Sequence, residues 1–260
     1  MLFRVLGKLY QRGVARLLGL EGWADEKLPP LVQRETYHVA SEVVDLLLGI
    51  ENGRPDLERV TNWLASVESA RYITNRMGLA SNLRDRDALI DHALAACRVE
   101  GLVLEFGVYE GNSLRNIAQA YEGPVYGFDS FEGLPEDWTH FQLKGRFSLE
   151  GRLPEFEEDN VNLVPGWFDD TLPGFVKEHA GPVRFLHVDS DIYSSARTVL
   201  TGLSDRLVSG SVILFDEYFN YPGWQEHEFR AFQEFIAETG HRYEYLGYAS
   251  RHSSVAVRLL

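Results

Sequence analysis

Cysteine is nearly absent from this 260-residue chain: Cys97 is the only one. An intrachain disulfide and a cysteine-built metal site are thereby excluded, and the reducing cytoplasm is the expected setting. Long hydrophobic runs are missing too. No stretch of about 18 apolar residues occurs, so a membrane-spanning helix is not expected. The apolar N-terminus carries Arg4, Lys8, Arg12 and Arg16 and shows no small-residue cleavage site, which argues against a secretory signal. Positive charge is scarce: 25 Lys and Arg face 39 Asp and Glu, a formal net charge of −14. Phosphate neutralisation needs a basic footprint, so nucleic acid is excluded as the substrate. The first 100 residues hold no internal repeat and no low-complexity tract. What is present, with 45% hydrophobic residues, is material for one sizeable core plus an appendage.

Residues 1–20 hold four basic side chains and no acid, so the rest of the chain carries about −18. Arg4, Lys8, Arg12 and Arg16 recur at i, i+4 and form one stripe of an expected helix. That helix suits packing on the core or on a sister subunit, which makes a homo-oligomer the expected assembly. A basic amphipathic segment also suits peripheral contact with a membrane surface. Residues 24–35, with Pro29 and Pro30, read as a connector. Helical apolar patterns then run from Glu42 to about Ile50, from Asp56 to Met77 and from Asp85 to Cys97. Residues 1–100 are therefore expected to form a helical region serving oligomerisation or covering a site as a lid, particularly around Tyr72–Met77. Residues 101–260 are expected to form the main domain.

At Leu102 the period changes. Short apolar runs at 102–106, 124–128, 161–164, 183–188 and 211–215 alternate with turns and helix-like stretches, the pattern of parallel βαβ units. Two later runs, Tyr243–Tyr248 and Val255–Leu259, predict an antiparallel hairpin closing the sheet edge. The expected fold is α/β, a mostly parallel sheet with a reversed strand near the C-terminus.

Glu105, Gly107 and Gly111 leave the first of these strands, and Asp129 ends the next. Glycine permits close approach of backbone to a ligand, and the Gly107–Asp129 offset is near the ~20 residues at which a carboxylate meets ribose hydroxyls. Such a unit fits a nicotinamide enzyme equally, or no ligand. Three stretches are more specific. Leu104-Glu-Phe-Gly-Val-Tyr-Glu-Gly111, Asp129-Ser-Phe-Glu-Gly-Leu-Pro135 and Gly166-Trp-Phe-Asp-Asp-Thr-Leu-Pro173 resemble the macrocin/mycinamicin-type sugar O-methyltransferases. The resemblance covers roughly residues 100–220, with the motifs in order. It implies a Rossmann-like class I methyltransferase sheet and S-adenosylmethionine at Gly107–Gly111, with Glu105 and Tyr109 alongside. It also places the ribose on Asp129 and the adenosine near Ser130, Trp167 and Phe168.

His187-Val-Asp-Ser-Asp-Ile-Tyr193 and Leu214-Phe-Asp-Glu-Tyr218 close the next two strands, where open α/β sheets bind ligands. Asp189 and Asp191 share a face of an extended segment. With Asp216 and Glu217 they would repel one another unless a cation or protons intervened. All-oxygen ligands favour a hard ion, Mg²⁺ first and Mn²⁺ next. Asp189, Asp216 and Glu217 are the expected ligands, although the family pattern has Asp where this chain has Glu217. Asp189 and Asp191 are the expected catalytic pair, Asp191 as the base. His187 reads as a strand histidine. Tyr193, Tyr218, Tyr221, Trp224 and His227 suit either an acceptor wall or packing beneath a helix. The leading expectation is a metal-dependent methyl transfer from S-adenosylmethionine to a hydroxyl of a sugar or glycoside. A catechol- or polyphenol-type O-methyltransferase and an inactive scaffold of the same fold are the alternatives.

Overall fold

The computed structural model describes residues 54–139 and 142–260, together with Gly49. The basic helix expected over residues 1–20 and the connector 24–35 lie outside them, as does the run from Glu42 apart from Gly49. The chain divides into two compact units between Leu64 and Ala65. Helix α1 spans Leu57–Arg76. Its start follows Asp56, whose side chain accepts the Glu58 N–H at 2.9 Å and so caps an otherwise unpaired donor. No described helix is long and apolar enough to cross a membrane.

Residues 65–260 are built around an eight-stranded sheet. Strands β2 (Leu102–Phe106), β3 (Val125–Asp129), β4 (Val161–Pro165), β5 (Val183–Val188) and β6 (Val212–Phe215) run parallel. Strand β8 (Val255–Leu259) is reversed and lies between β6 and β7 (Tyr243–Ala249). The order is β1-β7-β8-β6-β5-β2-β3-β4, where β1 is Ser81–Leu83. The central strands are continuous apolar runs because both faces are covered. Alternate residues Val103, Phe185, Val212 and Leu214 face α2 (Arg86–Ala95) and α3 (Asn112–Ala120). Leu104, Phe106, Leu186, Val188, Ile213 and Phe215 face the other layer, α4 (Phe168–Glu178), α5 (Tyr193–Gly202) and α6 (Glu228–Thr239). Between β2 and β5 the winding changes direction: β2, β3 and β4 progress one way and β5 and β6 the other. A crevice opens at the carboxyl ends of strands at such a switch point.

Two expectations need correction. Strand β1 was not anticipated, since three residues carry no period; it pairs in parallel with β7, so the β7–β8 hairpin does not form the sheet edge. The β3–β4 connection contains no helix among its described residues. It folds on itself instead, with Leu134 and Gly145 exchanging turns of backbone bonding through Leu134 N–H to Arg146 O and Gly145 N–H to Leu134 O, each 2.9 Å. The second compact unit begins at Ala65 and includes β1, which joins the sheet, and α2, which packs on it.

Beneath the crevice, the Phe106 and Phe128 rings stack at 4.3 Å and Phe168 meets Phe106 edge-on at 5.1 Å. Phe106 is fully buried there. Phe106→Ala is expected to cost about 3–5 kcal/mol, read by urea denaturation.

Candidate active site

The crevice is a cleft of about 700 Å³. Its cofactor-type wall starts at Gly107, which follows β2 with φ +97°. A Cβ at Gly107 would overlap the carbonyl oxygen of Asp189, so this glycine serves the approach of two loops across the switch point. The Asp129 carboxylate then ties that loop to the end of β3. It accepts the N–H groups of Val108 and Tyr109 on one oxygen at 2.8 Å each, and that of Phe131 on the other at 2.7 Å. Gly107, Tyr109, Asp129, Ser130, Trp167 and Phe168 all line the cleft as expected.

Two members of the expected cofactor set do not. Gly111 caps α3 with φ +80°, and a side chain there would run into the Phe156 ring, away from the cleft wall. Glu105 is fully buried under the sheet end. One of its oxygens accepts the Ser113 hydroxyl at 3.2 Å, and the other lies 2.9 Å from His187 Nδ1. An alternating strand explains this: Glu105 shares the face of Val103, toward the α2–α3 layer and beside His187, a placement that the motif alone does not give.

The acid wall comes from β5 and β6. Asp189, Asp191, Asp216 and Glu217 all line the same cleft. Burial and the neighbouring Asp216 charge hold the Asp189 carboxyl well above the usual range. Burial, with Asp216 and Asp129 nearby, pushes Asp191 up to about 7. Glu217 is likewise raised, by burial and by Asp216, Asp191 and Glu228. Asp216 differs. Burial opposes its charge, but contacts to His187 and Arg86 hold it below the usual range. Its Oδ1 accepts the Ser254 hydroxyl at 3.0 Å.

His187 is a buried strand histidine, as expected, and it also faces this acid. Its Nε2 is 3.6 Å from Asp216 Oδ1 and has no hydrogen-bond partner. Donor atoms of His187, Asp189 and Asp216 lie within 4.8 Å of one another. Glu217, the third expected ligand, stands outside that triplet on the same cleft. Crowded, buried carboxylate oxygens are a donor set that fits a hard divalent cation.

Arg86 was not anticipated. Its Nη1 donates to Asp216 at 3.2 Å and lies 3.5 Å from Asp189, placing one positive charge between the two acids. Only an N-capping Asp85 marks the segment in sequence, and nothing there tells that the next side chain crosses to β5 and β6. Glu228 was missed for a similar reason: an acid in the first turn of a helix is commonplace. Here it is fully buried, pushed up to about 8 by burial, and accepts the Ser190 and Glu217 N–H groups at 3.1 and 3.0 Å.

The aromatic residues expected as either wall or packing are packing. Tyr218 and Trp224 are buried in the core, while Tyr193 bonds to Glu234 at 2.6 Å. Tyr221 and His227 pack against Trp138. Of these rings it is Trp138 that lines the cleft, with Tyr109 and Phe147. The Tyr72–Met77 segment, expected as a lid, packs beside the sheet: Met77 is buried and the Tyr72 hydroxyl is 2.6 Å from that of Tyr245.

Residues 104–218 match a family described as a methyltransferase domain. Over 143 residues the chain is 32% identical to the 8-demethyl-8-(2,3-dimethoxy-alpha-L-rhamnosyl)-tetracenomycin-C 4'-O-methyltransferase of Streptomyces olivaceus, covering 46% of this chain and 54% of that one. It is 31% identical over 163 residues to the mycinamicin III 3''-O-methyltransferase of Micromonospora griseorubida, covering 51% and 61%. The chain thus spans little more than half the length of these relatives. Among solved structures, the O-methyltransferase NovP aligns over 66% of this chain and 78% of its own, at 23% identity and TM-score 0.52. The calicheamicin methyltransferase CalS11 aligns over 96% and 91%, at 18% identity and TM-score 0.50. These two show the fold, a Rossmann-like class I methyltransferase sheet. The resemblance to sugar O-methyltransferases carried by the three motifs is borne out.

The buried Glu105–His187–Asp216 line sets a pH dependence. Burial opposes a charged imidazole, but its contacts to Asp216 and Glu105 prevail and raise His187 from 6.5 to about 10. The folded state therefore keeps a proton that the unfolded chain loses near 6.5. Stability from this source is complete below pH 6.5 and disappears as pH rises through about 10. Thermal melts between these limits are expected to show a falling melting temperature in the parent chain and a shallower fall in His187→Gln.

Proposed function

We propose that this chain, whose residues 104–218 match a methyltransferase domain, transfers a methyl group from S-adenosylmethionine to a hydroxyl of a sugar or glycoside, with Mg²⁺ or Mn²⁺ in the acid cluster. The observation that carries this reading is one cleft with two unlike walls. Gly107, Asp129, Ser130, Trp167 and Phe168 face it from one side, and Asp189, Asp191, Asp216 and Glu217 from the other. A rhamnosyl-bearing acceptor in the name of one relative supports a sugar hydroxyl as the target.

Each side chain then has a role. Trp167 and Phe168 would offer flat apolar faces to a purine, and Asp129, with three backbone N–H groups already bound, would keep one acceptor position for a ribose hydroxyl. Asp189, Asp216 and Glu217 would hold the cation. When bound, the cofactor supplies an electrophilic methyl and the cation Lewis-acid polarisation of the acceptor oxygen. Asp191 takes the hydroxyl proton. Its raised affinity, about 7, suits a base working near neutrality, whereas an ordinary carboxylate is far too weak. Trp138, Tyr109 and Phe147 give the acceptor an aromatic border on which a sugar face can stack.

Calorimetry with S-adenosylmethionine, followed by a mass-shift screen of glycosides with and without EDTA, tests the reading. Binding, a one-methyl gain on a glycoside and its loss in EDTA are expected. Asp191→Asn is expected to lower turnover by about 10²–10⁴-fold while cofactor binding persists. Absence of cofactor binding would overturn the activity; EDTA-insensitive transfer would remove the cation, and full turnover in the variant would remove Asp191 as the base.

A further inference from the structure

Two loops carry the acids of the cleft, and one buried side chain touches both. After β5 the chain turns sharply, with the Ile192 N–H donating to the Ser190 carbonyl at 2.7 Å. Asp191 lies between them at φ +62°. A non-glycine residue held left-handed in a three-residue turn is strained, and it persists only where its surroundings over-determine it. One anchor is upstream: the Asp189 N–H donates to the Phe106 carbonyl at 2.9 Å. Another is downstream, where the Ile192 carbonyl accepts the Ala196 N–H at 3.1 Å in the first turn of α5. A further donor of the turn, the Ser190 N–H, meets Glu228 Oε1 at 3.1 Å. Glu228 Oε2 accepts the Glu217 N–H at 3.0 Å, on the loop after β6. Glu228 itself is fully buried at the start of α6 and has no access to the cleft.

We propose that Glu228 is a positioning residue, one oxygen on each acid loop, that fixes the Asp189–Asp191 turn in register with Asp216–Glu217 and so aims the Asp191 carboxyl into the cleft. The step from register to rate rests on the reading of Asp191 as the base. A carboxyl group offers a lone pair on both oxygens in either protonation state. An amide of the same size offers one acceptor and one donor, so it can meet only one of two N–H groups. Glu228→Gln therefore removes one anchor with almost no change in volume. Glu228→Asp keeps both acceptors but draws them back by one methylene.

The test combines steady-state kinetics, calorimetry with S-adenosylmethionine and amide hydrogen exchange on the full chain. In Glu228→Gln, kcat is expected to fall about 10- to 100-fold, with the cofactor Kd and acceptor KM within about twofold of the parent. The Ser190 or Glu217 amide is expected to exchange at least about tenfold faster, with amides of β2 unchanged. A general loss of structure would instead move Kd, KM and the β2 amides together, and that result overturns the proposal. So does a kcat within about twofold of the parent, even where exchange accelerates. If Glu228→Gln does not fold, Glu228→Asp is read by the same criteria. If the parent chain methylates no glycoside, the functional reading fails separately. The exchange data then decide the register: faster Ser190 or Glu217 exchange in the variant sustains it, and unchanged exchange refutes it.

Discussion

Negative charge forced together at the carboxyl ends of β5 and β6 is the constraint to which the neighbourhood answers. Buried carboxylates a few ångströms apart cannot all remain ionised without compensation. The chain meets this in several ways at once. Arg86 reaches in from α2, His187 stands behind Asp216, and Asp189, Asp191 and Glu217 retain protons more readily than exposed acids do. Backbone donors take up Glu228. The resulting proton affinities differ sharply, low at Asp216 and high at Asp191, although both acids arise from two short motifs.

The cofactor wall is organised by a different means. Asp129 spends three acceptor positions on backbone N–H groups and so joins the loop after β2 to the segment after β3. Gly107 lets the loop after β2 lie against the loop after β5. The two walls of the cleft thus share a hinge of backbone contacts at the switch point, and the acids inherit their placement from it. Ring packing of Phe106, Phe128 and Phe168 fills the space below.

How much of this can be read from the sequence depends on what carries each feature. The central strands are legible because apolar runs bounded by glycine and acids have one economical interpretation, and β2, β5 and β8 begin and end at or beside the expected residues. Asp129, Asp189, Asp191, Asp216 and Glu217 are legible because strand ends in an open sheet converge. The burial of Glu105 beside His187 is not legible, since a motif does not say which side of a strand a residue faces. Arg86 and Glu228 are invisible for a physical reason: each acts through a tertiary contact with a residue more than thirty positions away, and neither sits in an unusual local pattern. Strand β1 is invisible because its identity comes from its partner β7. The aromatic wall is supplied by Trp138 and Phe147 from a connection with no periodic signal at all.

That connection between β3 and β4 bonds chiefly to itself, and within it Leu134, Trp138, Gln142 and Phe147 border the cleft. None of these four lies in a strand or donates to the sheet ladder. In evolutionary terms the border and the reaction machinery are separable parts. A lineage can exchange the residues that greet an acceptor, or lengthen the segment holding them, while the acids of β5 and β6 keep their places. Under the proposed function, this loop is where a designer seeking a new acceptor would begin, leaving the acids of β5 and β6 untouched.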